Sequence, residues 1–308
     1  MGCLLLTFFA SMSTMSESLI PDTWPQIFEE ISASPGCVFM LGAPDTGKST
    51  MAHFLCAQSF KQGVSTAYID GDLGQSVCSP PTTLGMTLIT ELPCTMETLG
   101  WDTLYFIGAT SPANHLLATA AGVQRLVHKA LEIVSQMLVV DTSGLVAGEL
   151  GFALKFYKIE LLNPRHIVAL QKDEELEHIL RPLEARKGMK IHRLPPAQGV
   201  QYRSPQARRA YRQRRFAEYF SGSSRQRFPL DEVKLISPAF PHLSVEGRGE
   251  GLQGTVIGLN DEAYFTRGLG IWSGFDRERH EISLFTPLED LSGVRYLHLG
   301  HITIDISP

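Results

Sequence analysis

The run Gly42-Ala43-Pro44-Asp45-Thr46-Gly47-Lys48-Ser49, followed by Thr50, fits the pattern GxxxxGK[ST] at every position. Glycines in such a loop let successive backbone N–H groups curl around phosphate oxygens. A helix starting at the loop's end adds its partial positive charge. Lys48 is then placed to bridge the β- and γ-phosphates, and the Ser49 hydroxyl to hold Mg²⁺. The ligand class is a nucleoside triphosphate. The loop by itself does not choose among ATPase, GTPase and kinase.

A second cluster is acidic: Asp70-Gly71-Asp72-Leu73-Gly74-Gln75. Two carboxylates two residues apart on an extended chain point the same way. One can then serve a magnesium shell while the other faces a substrate proton. A plain water-splitting NTPase needs mainly the metal-holding acid. Asp141 closes another apolar run, Met137-Leu-Val-Val140, as the second acidic motif of P-loop proteins does. Asp70, Asp72 and Asp141 are therefore all candidates beside Ser49, and spacing alone does not rank them.

A third cluster is cationic. Residues 201–227 hold eight arginines, at 203, 208, 209, 212, 214, 215, 225 and 227, against one acid, Glu218. That is a local charge of +7 in a chain of net −5, so the remainder carries −12. Arg208, Arg212 and Arg215 share one helix face at i, i+4 and i+7. Tyr211, Phe216, Tyr219 and Phe220 could pin that helix to the body. Three uses compete: a solvated helix face, a nucleic-acid patch, and a lid whose arginines reach the γ-phosphate. Arginine to the exclusion of lysine favours forked contact with phosphate.

Apolar runs at 37–41, 66–69, 103–107, 137–140, 166–170 and about 189–194 read as strands. Helical patterns fall between them, near 24–32, 48–61, 114–135, 148–161 and 173–186. The alternation predicts an α/β fold, a P-loop NTPase parallel sheet with helices on both faces. Ligands on such sheets bind at the carboxyl ends of the strands, where the phosphate loop and the acidic cluster fall, together with Gly108-Ala-Thr110-Ser111-Pro112 and Asp141-Thr-Ser-Gly144. Past residue 236 the texture changes to short β-like runs, a small β-rich C-terminal domain. The expected organisation is a tail over 1–20, a P-loop domain over 21–235 with an arginine-rich lid at about 201–222, and the β-rich unit over 236–308.

The chain has 308 residues, 44% of them hydrophobic and 19% charged, which excludes a disordered, collagen-like or purely coiled-coil protein. No stretch of about 18 apolar residues is present, so no membrane-spanning helix is expected. The five cysteines, Cys3, Cys37, Cys56, Cys78 and Cys94, lack CxxC spacing and fit a reducing cytoplasm. The apolar run Leu4–Ala10 lacks the basic flank of a secretory signal, so the start reads as a tail with Met12 and Met15 as alternative initiators. The ten histidines, among them His178, His192 and His301, show no spacing typical of metal ligands.

The loop GAPDTGKST, the segment DGDLGQ followed by SPPTTLG, the GATSP and DTSGLV turns and the helix RSPQARRAYRQRRFAEYF occur here in that order. This set resembles the P-loop polynucleotide 5′-hydroxyl-kinase family, over about residues 36–308. The resemblance implies an enzyme that uses ATP and Mg²⁺ to phosphorylate the 5′-OH end of RNA or DNA, in RNA processing. By resemblance, Lys48 and Ser49 serve ATP and Mg²⁺, and Asp72 activates the hydroxyl with Asp70 and Gln75 beside it. Thr110, Ser111 and Pro112 look like the clasp on the substrate's end. Arg203, Arg208 and Arg212 match lid arginines that close over the transferred phosphate. Two departures are visible. Fewer than 40 residues precede the loop's strand, so the N-terminal β domain of eukaryotic members is not expected. Leu145 stands where some members carry Trp.

Two other readings compete. A GTP-dependent regulator would carry an NKxD-type element, and Gln171-Lys172-Asp173-Glu174 lacks the Asn and misplaces the Asp. A non-catalytic ATP-binding scaffold would use ATP to stabilise an assembly, and would need neither the acidic pair nor the arginines.

Overall fold

A computed structural model describes residues 20–92, 98–133, 136–197, 199–200, 202–237 and 249–305. Apart from Ile20, the expected N-terminal tail lies outside the described residues, as do Cys3 and Cys94.

Five strands run parallel: β1 (Cys37–Gly42), β2 (Thr66–Gly71), β5 (Met137–Thr142), β6 (His166–Leu170) and β7 (Lys190–Leu194), in the order β7-β6-β1-β5-β2. Side chains alternate across such strands. Val38 and Met40 of β1 therefore face α1 (Thr23–Ser32) and α2 (Lys48–Lys61), while Phe39 and Leu41 face α3 (Leu116–Ile133) and α4 (Gly148–Leu162). Both faces are covered, which explains why the inner strands β1, β5 and β6 are largely apolar rather than alternating, whereas the edge strand β7 carries exposed Lys190 and Arg193. α1 shows how little sequence this takes: Trp24, Phe28 and Ile31 fall at i, i+4 and i+7, and all three are buried.

The sheet is mixed rather than wholly parallel. β3 (Thr83–Leu88) runs antiparallel between β2 and β4 (Thr103–Phe106). The expected uninterrupted parallel alternation therefore breaks here. Residues 72–82 contain no helix, and a parallel crossover needs about a dozen residues or more, usually helical. The helix expected over 173–186 shrinks to α5 (Glu177–Leu180) and one 3₁₀ turn, Arg181–Leu183. Pro182 removes a backbone donor and clashes with a continuing helix.

Strands β10 (Thr255–Asn260), β11 (Thr266–Asp276), β12 (Glu281–Thr286) and β13 (Tyr296–Thr303) pair antiparallel. β8 (Ser224–Pro229) adds to β12 and β9 (Lys234–Ile236) to β13. This β-rich region joins the main sheet where Thr266 of β11 meets Leu104 of β4, and the Phe106 N–H donates to Thr266 Oγ1 at 2.9 Å. Helix α6 (Pro205–Tyr219) lies across the junction. Ser204 caps it by accepting the Ala207 N–H at 3.1 Å, and Pro205 suits its first turn. Its Phe216, with Phe220 just beyond, packs on Val256, Leu269 and Ile271. Among the described residues no helix is long and apolar enough to cross a membrane.

Candidate active site at the strand ends

Adjacent strands bring the three motifs together. β5 lies between β1 and β2, and its Asp141 pairs in register with Asp70. The turn after β5 presses on the phosphate loop: a Cβ at Gly144 would stand 2.5 Å from the Pro44 nitrogen, so no larger residue fits there. The loop itself runs from Gly42 to the start of α2. The Lys48 ammonium and the Thr46 hydroxyl both donate to the Ala43 carbonyl, at 2.6 and 3.0 Å. Gly47 is left-handed at φ 90°, and Thr50 follows Ser49 into the first turn of α2.

Ser49 Oγ donates to Asp141 Oδ2 at 2.5 Å. The Tyr68 hydroxyl also reaches Oδ2, at 3.2 Å, and the Thr142 N–H donates to Oδ1 at 2.8 Å. Burial pushes the Asp141 carboxyl up from its ordinary range and pushes Lys48 down, each charge partly offsetting the shift of the other. A hydroxyl and a carboxylate, both hard oxygen donors in contact, suit Mg²⁺, which keeps few protein ligands and completes its shell with phosphates and water. Among the described residues no group of three or more His, Cys, Asp or Glu could hold a metal ion.

Asp70 and Asp72 part company, contrary to their expected common direction. β2 ends at Gly71, so the alternation of an extended strand no longer governs residue 72. Asp70 turns inward. Its Oδ2 accepts from Ser76 Oγ at 2.8 Å and from the N–H groups of Val77 and Cys78 at 2.7 and 3.1 Å. Burial and the nearby Asp141 charge raise its pKa to about 6. The expected metal ligand is thus committed to shaping the loop over 72–79. Asp72 stays half-buried. Its Oδ1 accepts the Gly74 and Gln75 N–H groups, both at 3.0 Å, which fixes the carboxylate and leaves Oδ2 without a hydrogen-bond partner among the described residues.

The Thr110-Ser111-Pro112 turn meets that same loop: a Cβ at Gly74 would lie 2.5 Å from the Thr110 carbonyl oxygen. Ser111 is exposed and Pro112 buried. Gln75 Oε1 lies 3.5 Å from Arg203 Nη1.

α6 covers the space between the two loops. Arg208 Nη2 donates to Asp45 Oδ2 at 2.6 Å, and the Arg203 N–H donates to the same oxygen at 3.1 Å. The Tyr211 hydroxyl donates to Ser76 O at 2.8 Å, and Arg215 Nη2 lies 3.2 Å from both Val77 O and Ser79 O. Arg212 Nη1 would lie 3.9 Å from a Cβ on Gly74. Burial and Arg209 lower the Arg212 pKa, and the Asp72 charge opposes that shift. Arg203, Arg208 and Arg212 therefore gather over the phosphate loop and Asp72.

Sequence reasoning missed two residues here. Lys155 and Lys158 of α4 are fully buried. Lys155 Nζ donates to Thr142 Oγ1 at 2.7 Å and to the Ser143 carbonyl, bracing the turn that touches Pro44. The available signal was that both share the buried face of α4 with Gly151, Leu154 and Ile159. Lysine is almost never fully buried, so the pattern reads as solvent-facing. The near-miss guanine element is occupied locally: Gln171 Nε2 donates to Glu177 Oε1 at 2.9 Å, and the Lys172 and Asp173 N–H groups cap Glu175.

The family model for the mRNA cleavage and polyadenylation factor CLP1 P-loop matches residues 42–222, from the phosphate loop to the end of the arginine helix. The chain belongs to the CLP1 P-loop family. It is similar to a polyribonucleotide 5′-hydroxyl-kinase of Pyrococcus abyssi, at 27% identity over 96% of each chain. A second of that description, from Thermococcus kodakarensis, is 29% identical over 92% of this chain and 93% of its own. CLP1 homolog 5 of Arabidopsis thaliana is 28% identical over 60% of this chain and 46% of its own length. The solved Clp1p–Pcf11p complex matches with a TM-score of 0.69 at 17% identity, covering 90% of this chain and 77% of that one. That likeness shows the fold: a mostly parallel P-loop sheet with helices, extended by C-terminal strands. A CLP1 P-loop is a nucleotide-binding loop, as the resemblance implied.

Proposed function

We propose that this CLP1-family protein is an ATP- and Mg²⁺-dependent kinase acting on polynucleotide 5′-hydroxyl ends. The carrying observation is the convergence of Arg203, Arg208 and Arg212 on Asp45 and on the loop that holds Asp72. A positioned acid under a cationic cover can activate an incoming nucleophile while the arginines stabilise the transferring phosphoryl group, and the similarity to polyribonucleotide kinases favours a hydroxyl over water as that nucleophile. The kinship with archaeal proteins described as polyribonucleotide 5′-hydroxyl-kinases supports RNA as acceptor.

In this reading the loop from Gly42 to Thr50 holds the triphosphate. Lys48 neutralises β- and γ-phosphate charge. Ser49 and Asp141 hold Mg²⁺, which supplies further charge stabilisation to the phosphates. Asp70 builds the loop that carries Asp72. Asp72 Oδ2 takes the proton of the 5′-hydroxyl as its oxygen attacks the γ-phosphorus and ADP leaves. Gln75, Thr110, Ser111 and Pro112 hold the acceptor end. The lid arginines stabilise the transferring phosphoryl group and exclude water. Cys37, Cys56 and Cys78 are free thiols, which supports a reducing cytoplasm.

The test is incubation with γ-labelled ATP, Mg²⁺ and 5′-OH RNA or DNA oligonucleotides, with GTP in parallel and Lys48→Ala as control. Label at the 5′ end, absent with Lys48→Ala, is expected. Nucleotide hydrolysis with no 5′ label would refute the proposal.

A further inference from the structure

Most of the described histidines with partners are fixed inside the protein. His166 bonds His192 and the Ser34 carbonyl, and His298 bonds the Tyr264 hydroxyl, while the exposed His178 is held by Val146 O. His115 and His301 differ. Neither ring has a hydrogen-bond partner among the described residues, yet the two rings pack against each other in a tilted arrangement, centroids 4.4 Å apart and planes 50° apart. They are distant in the chain: His115 comes from the turn before α3, His301 from β13.

Backbone bonds hold the pair in place. The His115 N–H donates to Pro112 O at 2.9 Å, and the His301 N–H donates to Gly108 O at 2.7 Å. Both acceptors belong to the turn whose Thr110 carbonyl packs on Gly74, two residues from Asp72. His301 is exposed and His115 half-buried, so the outer ring is backed by the inner one. Leu117, beside them at the start of α3, is 84% exposed. Burial, then the charge of His301, lowers the pKa of His115, which favours an uncharged ring against its neighbour.

An exposed, pre-positioned ring with unengaged nitrogens at the rim of an acceptor site has a physical use. Single-stranded nucleic acid is gripped by stacking of bases on aromatic side chains, histidine included, with hydrogen bonds to base edges or the 2′-hydroxyl. We propose that His301, backed by His115, is a stacking platform for a nucleobase within the first three nucleotides of the acceptor strand. The platform is sequence-tolerant, because every base has a π-face. The inference rests on the kinase reading of the site.

The test is a cycle between protein and substrate. kcat/KM is measured for a 5′-OH RNA oligonucleotide and for versions abasic at the first, second or third nucleotide, using the unaltered protein, His301→Ala, His301→Phe and His115→Ala. With the unaltered protein, one abasic position is expected to lower kcat/KM about fivefold or more, the low end of base–aromatic stacking. His301→Ala is expected to lower kcat/KM on intact RNA by a similar factor and to lose the abasic penalty. His301→Phe should retain most of both, and ATP KM should stay unchanged. His115→Ala, which keeps His301 but removes its backing, should show a smaller loss of the same kind. Thermal stabilisation by ATP checks that each variant is folded. No abasic penalty in the unaltered protein, or an undiminished penalty in His301→Ala, overturns the platform. No 5′ label at all from the unaltered protein overturns the kinase reading, and the platform with it.

Discussion

Asp45→Asn tests whether the lid is tied to the phosphate loop as the structure shows. Asp45 Oδ2 accepts from Arg208 Nη2 at 2.6 Å and from the Arg203 N–H at 3.1 Å. Asp45 sits at φ 56°, a left-handed conformation that asparagine tolerates and alanine does not. Asparagine therefore keeps the turn and removes only the charge. Arg208 keeps its charge, so its bond to asparagine stays charge-assisted; what is lost is the ion-pair attraction, about 0.2–1 kcal/mol for exposed pairs and several for buried ones. The Asp45 and Arg208 side chains are 18% and 25% exposed, so solvent screening keeps the loss toward the exposed-pair range, about 1 kcal/mol. That is roughly a fivefold rise in undocked lid relative to docked lid. Trypsin cuts after arginine, and its rate tracks the open population when opening is fast. Cleavage after Arg203, Arg208 and Arg209, followed by mass spectrometry, is expected to be about fivefold faster in the variant, by the same arithmetic. Cuts at the exposed Arg277 and Arg279 serve as an internal reference and should not change. Equal lid cleavage in the two proteins would refute the tie.

Asp72→Asn should lower phosphoryl transfer by about 10²–10⁴-fold, the usual contribution of a positioned base, while ATP affinity by calorimetry stays within a factor of about two. Arg212→Ala should lower kcat far more than it weakens ATP binding, and equal losses would point to a ground-state binding role. Lys158→Met addresses the buried cation of α4. Its Nζ has no hydrogen-bond partner among the described residues, and burial brings its pKa down to about 8. An unfolded lysine titrates near 10.4. Between those values the unfolded chain binds more protons, so this group makes stability rise with pH from about 8 to about 10.4, on the order of 3 kcal/mol. Urea midpoints at pH 7 and pH 10 should show Lys158→Met more stable at pH 7 and lacking that rise. Parallel pH curves for the two proteins would contradict it.

Much of this site was legible because its signals are local. A phosphate loop is one contiguous pattern, and strand ends bearing Asp70, Asp141 and Thr110 follow from apolar runs that stop at polar residues. The arginine helix announced itself by charge against a net acidic chain. The less legible parts depend on tertiary context. β3 follows Pro80-Pro81 and holds Gly85 in its run TLGMTL, so only its antiparallel pairing with β2 and β4 reveals it. Asp70 and Asp72 look equivalent until β2 ends between them, sending one carboxylate into the loop's interior and the other to the surface. Lys155 and Lys158 carry no sign of burial in their residue type. His115 and His301 are 186 positions apart, and only the pairing of β13 onto Gly108 makes them neighbours.

The most direct measurement is a crystal structure with a non-hydrolysable ATP analogue, Mg²⁺ and a short 5′-OH RNA. The expected result has the 5′ oxygen within hydrogen-bond reach of Asp72 Oδ2, about 2.6–3.2 Å, and in line with the γ-phosphorus. Arg208 or Arg212 should touch a γ-phosphate oxygen, and Ser49 should touch the ion. A 5′ end bound away from Asp72, or a γ-phosphate untouched by any residue of 203–215, would contradict the account.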